Sequence, residues 1–115
     1  MAIEKDLMLF LKSSRIGEDE PDLGEKLMES YLKMLLESGS LPAKIVCMNS
    51  AVFLTTEGSA AENTLKGFAK AGTEILSCGT CLDYYNRRDK LLIGQPTDMK
   101  ATVKAMLNFT KILTP

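Results

Sequence analysis

Residues 73–81 read Thr-Glu-Ile-Leu-Ser-Cys-Gly-Thr-Cys. Residues 73–77 predict a strand, and a glycine follows at the point where the chain turns into a short helix. A strand that runs directly into a helix is typical of a parallel sheet, because parallel neighbours are joined by crossover connections. The stretch therefore predicts an α/β fold with two cysteines, Cys78 and Cys81, at the carboxyl end of a strand.

Other apolar runs predict further strands of the same sheet. Residues 7–11 form an unbroken apolar run between charged residues, and residues 45–48 form another after Pro42. Residues 91–93 predict a fourth strand, and residues 112–113 predict a fifth strand or a loose tail. Unbroken apolar runs are typical of strands that are covered on both faces, as in a parallel sheet.

Helices are expected between these strands. Asp22 with Glu25, and Ser59 with Glu62, have the spacing of capping boxes, and Thr97 is expected to cap the last helix. The other expected boundaries are a short helix through residues 82–86 and glycine stops at Gly39 and Gly72.

Helical periodicity predicts which side chains face the sheet. The predicted inner faces are Leu23, Leu27, Met28, Tyr31, Leu32, Leu35 and Leu36 in the first helix, Leu65, Phe68 and Ala69 in the second, and Met99, Val103, Met106 and Leu107 in the last. The first helix carries more apolar surface than a thin sandwich of this size needs, and such a surplus predicts a homo-oligomer.

Length, charge and leader signals limit the functional classes. A chain of 115 residues accommodates one domain over residues 1–115. Its 14 basic and 15 acidic residues nearly cancel and form no basic stripe, which argues against nucleic acid as a partner. Neither a signal peptide nor a membrane span is visible, so no membrane association is expected. Three cysteines without an export signal predict free thiols in a reducing compartment, the cytoplasm.

The chain contains no histidine. This absence excludes Ser-His-Asp and Cys-His catalysis as well as histidine-ligated metals. A zinc site at Cys78 and Cys81 would need two further soft ligands, and only Cys47 remains, within a predicted strand. No metal and no cofactor are therefore expected.

Cys78 and Cys81 are the candidate catalytic residues. Backbone N–H groups at the start of a helix favour a thiolate, Arg87 and Arg88 could add positive potential, and Asp83 would oppose it. Gly79 is expected to permit the sharp turn. Cys78 is expected to be partly accessible to solvent and Cys47 to be inert core. Two chemistries remain open, dithiol–disulfide exchange and a persulfide carried on one cysteine.

The loops that leave the carboxyl ends of parallel strands gather at one edge, where ligands bind in open α/β sheets. Here that edge would carry residues 13–17, 49–58, 78–81 and 94–97. Arg15 could hold an anion there or remain a solvated surface residue. The candidates for binding a substrate or a small anion are Ser14, Asn49, Thr55, Thr56, Glu57, Gly79 and Thr80, with turn and capping roles as the alternative for the polar loop residues.

Residues 54–59 (Leu-Thr-Thr-Glu-Gly-Ser) and residues 74–85, which contain Cys78-Gly79-Thr80-Cys81-Leu82-Asp83, carry a resemblance. They resemble the C-terminal domain of YedF-type selenium-metabolism proteins, a branch of the DsrE-like sulfur-relay superfamily. The similarity extends over residues 6–107. It implies a three-layer α/β/α sandwich with a mainly parallel five-stranded sheet, and association into trimers or hexamers.

The resemblance also implies a function. DsrE-like proteins pass sulfur as a cysteine persulfide held at the end of the third strand, a position that falls on Cys78 with Cys81 as its companion. YedF-type proteins usually carry a preceding TusA-like domain with a Cys-Pro-x-Pro motif, which this sequence lacks. The chain is therefore expected to be a stand-alone domain or an excised fragment, with donor and acceptor proteins that could include a separate TusA-like chain.

Three functions follow as hypotheses. The first is a sulfurtransferase-like carrier of sulfur or selenium that uses a persulfide at Cys78. The second is a dithiol–disulfide oxidoreductase or redox sensor that uses Cys78 and Cys81. The third is a non-catalytic oligomeric module that binds a small ligand at the strand edge.

Overall fold

The computed structural model describes residues 1–115, in five strands and four α-helices. The strands are β1 (Ala2–Leu11), β2 (Ser40–Cys47), β3 (Glu74–Cys78), β4 (Gln95–Thr97) and β5 (Lys111–Leu113). The helices are α1 (Pro21–Glu37), α2 (Glu62–Ala71), α3 (Gly79–Tyr84) and α4 (Met99–Asn108), with short 3-10 helices at Asn49–Leu54 and Arg88–Lys90.

The five strands form one sheet in the order β4-β3-β2-β1-β5, and every neighbouring pair is parallel. The chain adds β2, β3 and β4 on one side of β1, and α4 then leads back so that β5 pairs with the other side of β1. The predicted mainly parallel five-stranded α/β fold is confirmed. The order of the strands changes direction between β1 and β5, which makes the edge beside them a natural place for a ligand.

The two faces of the sheet are covered unequally. Successive strand residues point to opposite faces, so Leu9 and Met8 belong to different cores. One face packs against α1 and α2 in a cluster of 14 buried residues that includes Met28 and Phe68. On the other face a cluster of three buried residues joins β1 and β2 to Ala105 of α4. Helices on both faces give the three-layer arrangement.

The predicted fourth strand at residues 91–93 is wrong. Gln95–Thr97 pairs with β3 instead, and Leu91 makes only an isolated antiparallel bridge to Thr56. Gly94 explains the shift, because it has a φ of +78° and packs so tightly on Ile75 that a Cβ would lie 2.0 Å from the Ile75 carbonyl oxygen. The chain therefore joins the sheet only after this glycine, as an edge strand that tolerates a proline.

Three helix starts also differ from expectation. Pro21 occupies the first turn of α1, a position that suits its fixed φ, and no side chain caps this helix, so the capping box at Asp22 does not form. The α2 helix starts at Glu62, and Ser59 accepts a hydrogen bond from the Ala61 N–H in the preceding turn instead of capping the helix. The predicted cap of the last helix, Thr97, is also wrong, because the α4 cap is the carboxylate of Asp98, which accepts from the Ala101 N–H.

The buried face of α4 is rotated from the predicted one. Thr102 and Ala105 face the sheet, and Met106 is half-buried. The predicted inner residues that lie exposed are Leu23, Leu27, Ala69, Met99, Val103 and Leu107. Helix α4 packs its small residues against the thin second core, so its large apolar side chains stand on the surface.

Candidate functional site

The cysteines occupy different positions at the carboxyl edge of the sheet. Cys78 is the last residue of β3 and Cys81 lies in the first turn of α3, as predicted. The expectation that Cys78 is accessible is wrong, because only 5% of its surface is exposed, whereas Cys81 is half-buried. Cys78 remains within the sheet, paired with Thr97 of β4, so the following turn exposes the second cysteine instead. Cys47 is fully buried, as predicted.

The sulfur of Cys81 accepts a hydrogen bond from the backbone N–H of Asn49 over 3.1 Å. Partial burial raises the pKa of the Cys81 thiol, and its hydrogen bond with Cys78 raises that pKa further. The Asn49 N–H acts in the opposite direction and lowers the pKa, because it stabilises the thiolate. At Cys81 the influences that raise the pKa therefore outweigh the Asn49 N–H, which lowers it.

Asn49 brings the loop after β2 onto the cysteines of β3. Its φ of +57° lies in the left-handed region, which asparagine tolerates better than most residues with a side chain. Backbone held in this region concentrates at functional sites, where the surrounding structure maintains the strain. The site therefore depends on a backbone group of Asn49, which a side-chain motif does not reveal.

The two arginines after α3 are engaged in structural contacts. Arg88 pairs with Asp83, at 2.6 Å from Nε to Oδ1, and its Nη2 donates to the Gly79 carbonyl over 3.1 Å. This pairing lowers the pKa of the Asp83 carboxyl. Arg87 donates to the Thr56 hydroxyl over 2.9 Å and lies over the Phe53 ring. Arg88 and Asp83, which were predicted to have opposite effects on the thiols, therefore form an ion pair with each other.

Gly79 is closely approached by neighbouring groups and does not adopt a positive φ. A Cβ at this position would lie 2.7 Å from Nη2 of Arg88 and 3.3 Å from the carbonyl oxygen of Thr97. Glycine therefore allows β4 and the arginine to pack directly against the backbone between the cysteines.

Thr55 and Thr56 are fully buried. The Thr55 hydroxyl lies 2.7 Å from the Ser77 hydroxyl, and both threonines donate to the carbonyl of Val52. These contacts tie the loop after β2 to β3. Neither hydroxyl is presented to a ligand, so the structure gives these two candidates a structural role.

The remaining candidates are spread along the edge. Ser14 donates its backbone N–H to the Ser50 hydroxyl over 3.1 Å, away from the cysteines. The Glu57 side chain is exposed and makes no hydrogen bond or ion pair. Thr80 is exposed beside Cys81. Of the predicted ligand-binding residues, Asn49, Gly79 and Thr80 lie with the thiol pair.

A cavity of about 380 Å³ opens at Cys81. Its walls are Asn49, Thr80, Cys81, Tyr84 and Tyr85. Tyr84 and Tyr85 were not predicted as site residues, although residues three and four positions after Cys81 share its face of the helix. The arrangement offers one partly exposed thiol, one buried thiol behind it, an N–H donor and two aromatic walls.

Metal sites, membrane-spanning helices and disulfides are all absent from the described residues. No three His, Cys, Asp or Glu side chains lie close enough together to hold a metal ion. No helix has the length and apolar character that crossing a membrane requires. All three cysteines are free thiols.

Neither protein families nor curated proteins give a match to this sequence. Solved structures do match. The YchN protein of Escherichia coli superposes with a TM-score of 0.72 at 16% identity, over 97% of this chain and 100% of that one. A protein of unknown function from Methanobacterium thermoautotrophicum gives 0.70 at 14% identity, over 97% of this chain and 100% of that one.

A further similar structure is a conserved protein of unknown function from Bacteroides thetaiotaomicron, with a TM-score of 0.65 at 16% identity over 96% of this chain and 95% of that one. Identities this low concern the fold alone. Together with the strand order and the three layers, these matches show that the chain has the DsrE-like α/β fold.

Proposed function

We propose that the protein is a thiol-based sulfur carrier that holds a persulfide at the Cys78–Cys81 pair. The observation that carries the proposal is the environment of Cys81, whose half-buried sulfur borders a cavity and accepts the Asn49 N–H over 3.1 Å. An N–H donor stabilises an anionic sulfur, and the thiolate is the nucleophile in sulfur transfer. A cavity with aromatic walls provides partial shelter for a bound sulfur.

The transfer step is a displacement at sulfur. The Cys81 thiol loses its proton and its thiolate attacks the terminal sulfur of a donor persulfide. A bond forms between Cys81 Sγ and that sulfur, the S–S bond of the donor breaks, and the electron pair leaves on the donor thiolate, which takes up a proton. Delivery to an acceptor thiolate repeats the displacement in the other direction, so that no external oxidant is needed.

We assign the first contact with the donor to Cys81, although the resemblance pointed to Cys78. The reason is access, since Cys78 lies behind Cys81 with 5% of its surface exposed. Cys78 interacts with Cys81, whose pKa it raises, and can shield the persulfide. The catalytic pair proposed from the sequence is retained with the two roles exchanged.

A second candidate function is dithiol–disulfide exchange, which the contact between the two thiols favours. In that reaction each cysteine loses a proton, a bond forms between the two sulfurs, and two electrons pass to a partner disulfide, which is reduced to two thiols. The loaded carrier gains one sulfur atom and forms no bond between Cys78 and Cys81, whereas the oxidoreductase ends as a disulfide.

The partners and setting of the carrier are also part of the proposal. The YedF-like residues favour selenium as an alternative cargo and a TusA-like protein as donor or acceptor. Free cysteines suit the reducing cytoplasm.

The exposed face of α4, where 82% of the Leu107 surface is accessible, supports a homo-oligomer, and the resemblance selects a trimer or hexamer. Light scattering that gives a mass near 12.6 kDa would contradict self-association.

Intact-protein mass spectrometry after exposure to a small-molecule persulfide tests the function. The wild-type protein and the control variant Cys47→Ala should each gain the mass of one sulfur atom, which dithiothreitol removes. Cys81→Ser should gain none, whereas Cys78→Ser should still load. Loss of two hydrogen masses from the wild-type protein, without a gain of sulfur, would favour the oxidoreductase. Equal loading of Cys81→Ser and the wild-type protein would refute the carrier at this site.

A further inference from the structure

A larger cavity, separate from the one at Cys81, lies where the order of the strands changes direction. It has a volume of about 600 Å³ and includes residues from the loop after β1, from the turn after β2 and from the chain after β5. Its polar wall residues are Lys12, Ser13, Arg15, Glu18, Asn49 and Ser50. Ligands of open parallel sheets bind in the crevice at such a point, which makes this cavity a site in its own right.

The charges on the walls favour an anion. Among the side chains of the walls, Lys12 and Arg15 are basic and Glu18 is acidic, which leaves one net positive side-chain charge. Arg15 is half-buried, and its guanidinium makes no ion pair and no hydrogen bond within the protein. The other two arginines of the chain both bind protein groups. A guanidinium without a partner in the protein has its hydrogen-bond donors free for a ligand.

The position of Arg15 is fixed by a close contact with α1. The Ile16 N–H donates to the Gly24 carbonyl over 3.0 Å, which fastens the loop after β1 to the helix. A Cβ at Gly24 would lie 2.9 Å from the Cβ of Arg15 and 3.1 Å from the Ile16 carbonyl oxygen, so only glycine permits this approach. The Arg15 N–H also donates to the Ser13 hydroxyl over 3.1 Å. The loop is therefore pre-organised, which reduces the entropy lost on binding.

We propose that this cavity binds a small anion through a carboxylate or oxyanion group, with Arg15 as the principal ligand and Lys12 as a second positive charge. The planar guanidinium can contact two oxygens of such a group at once. The hydroxyls of Ser13 and Ser50 lie on the same walls and supply further hydrogen bonds. Asn49 lines this cavity as well as the one at Cys81, so the ligand lies next to the loop that contacts the thiol.

This site does not depend on the sulfur chemistry, and its test uses probes without transferable sulfur. Titration of the protein with inorganic phosphate and, separately, with succinate at low ionic strength is followed by two-dimensional amide NMR. We expect saturable shifts confined to residues 12–18 and 49–50 with at least one probe. Phosphate alone would identify an oxyanion site and succinate alone a carboxylate site, and Cys81→Ser should bind like the wild-type protein.

Two variants and one control distinguish this site from non-specific attraction. Arg15→Gln should weaken binding about tenfold, as expected for loss of a charge-assisted contact. Gly24→Ala retains every charge but displaces Arg15, and it should also weaken binding. Lys33→Gln removes an exposed charge of α1 outside the cavity and should bind like the wild-type protein. Absence of saturable shifts with both probes, or equal binding by Arg15→Gln and Lys33→Gln, would overturn the proposal.

Discussion

The carboxyl ends of β2 and β3 lie side by side, and each strand ends in a cysteine with a different environment. Cys47 pairs in register with Ser77, one residue before Cys78. Cys47 belongs to the large core under α1 and α2, where burial raises its pKa to about 12. At the end of β3 the chain turns at once into α3, which brings Cys81 to the surface of a cavity. The course of the chain after each strand therefore decides whether a thiol is core or available for chemistry.

The end of β2 still contributes to the site through its backbone. Asn49, two residues after Cys47, donates its N–H to Cys81. Thr55, further along the same loop, is hydrogen-bonded to Ser77 of β3. The loop that begins beside the buried Cys47 thus contacts both Cys81 and β3, and three experiments can sharpen or break this contrast.

Thiol labelling should show the largest difference. Alkylation of the native protein with a neutral reagent should modify Cys81 at least about a hundredfold faster than Cys47, because a buried thiol reacts only after the core opens. Peptide mass spectrometry over a time course gives both rates. Comparable rates at the two cysteines would contradict the contrast between the strand ends.

Stability should show the reverse order. Cys47→Ala leaves a small cavity in a packed core and should lower the free energy of unfolding by about 1–2 kcal/mol. Cys81→Ala removes a half-buried side chain from the surface and should change it by less than about 0.5 kcal/mol. Denaturant unfolding of both variants measures the difference. A larger loss for Cys81→Ala would mean that Cys81 serves mainly in packing.

The smallest expected effect is the influence of Cys78 on its neighbour. The interaction with Cys78 raises the pKa of the Cys81 thiol, so Cys78→Ala should lower that pKa. A lower pKa gives more thiolate at neutral pH, and the pH midpoint of Cys81 alkylation should therefore move to lower pH. Asn49→Gly retains the N–H donor and tolerates the left-handed φ, so its midpoint should stay near that of the wild-type protein. A midpoint unchanged by Cys78→Ala would show that the two thiols do not interact.

The pattern of strands and helices was predictable because it depends on local periodicity and on glycine stops. Gly72, for example, has a φ of +114° where the end of a helix was predicted. The fourth strand was not predictable, because its position depends on the packing of Gly94 on Ile75, a contact between residues far apart in sequence. The buried face of α4 was predicted wrongly because it depends on the small space between this helix and the sheet, which accommodates Thr102 and Ala105.

The part of the candidate site that depends on local sequence was also predictable. The sequence placed Cys78 and Cys81 at the junction of a strand and a helix. It did not indicate that Arg88 binds Asp83 or that Thr55 is buried against Ser77, since these partners are known only once the loops are assembled. The role of the Asn49 N–H could not be predicted from residue types, because every residue except proline has such a donor.

The central claim is that sulfur is carried at the end of β3 and not at the end of β2. The most direct measurement is peptide-level mass spectrometry of the wild-type protein after brief exposure to a small-molecule persulfide, with free thiols blocked before digestion. The account predicts that the added sulfur is found on the peptide that contains Cys81, with none on the peptide that contains Cys47. Added sulfur on Cys47, or on neither peptide, would contradict it.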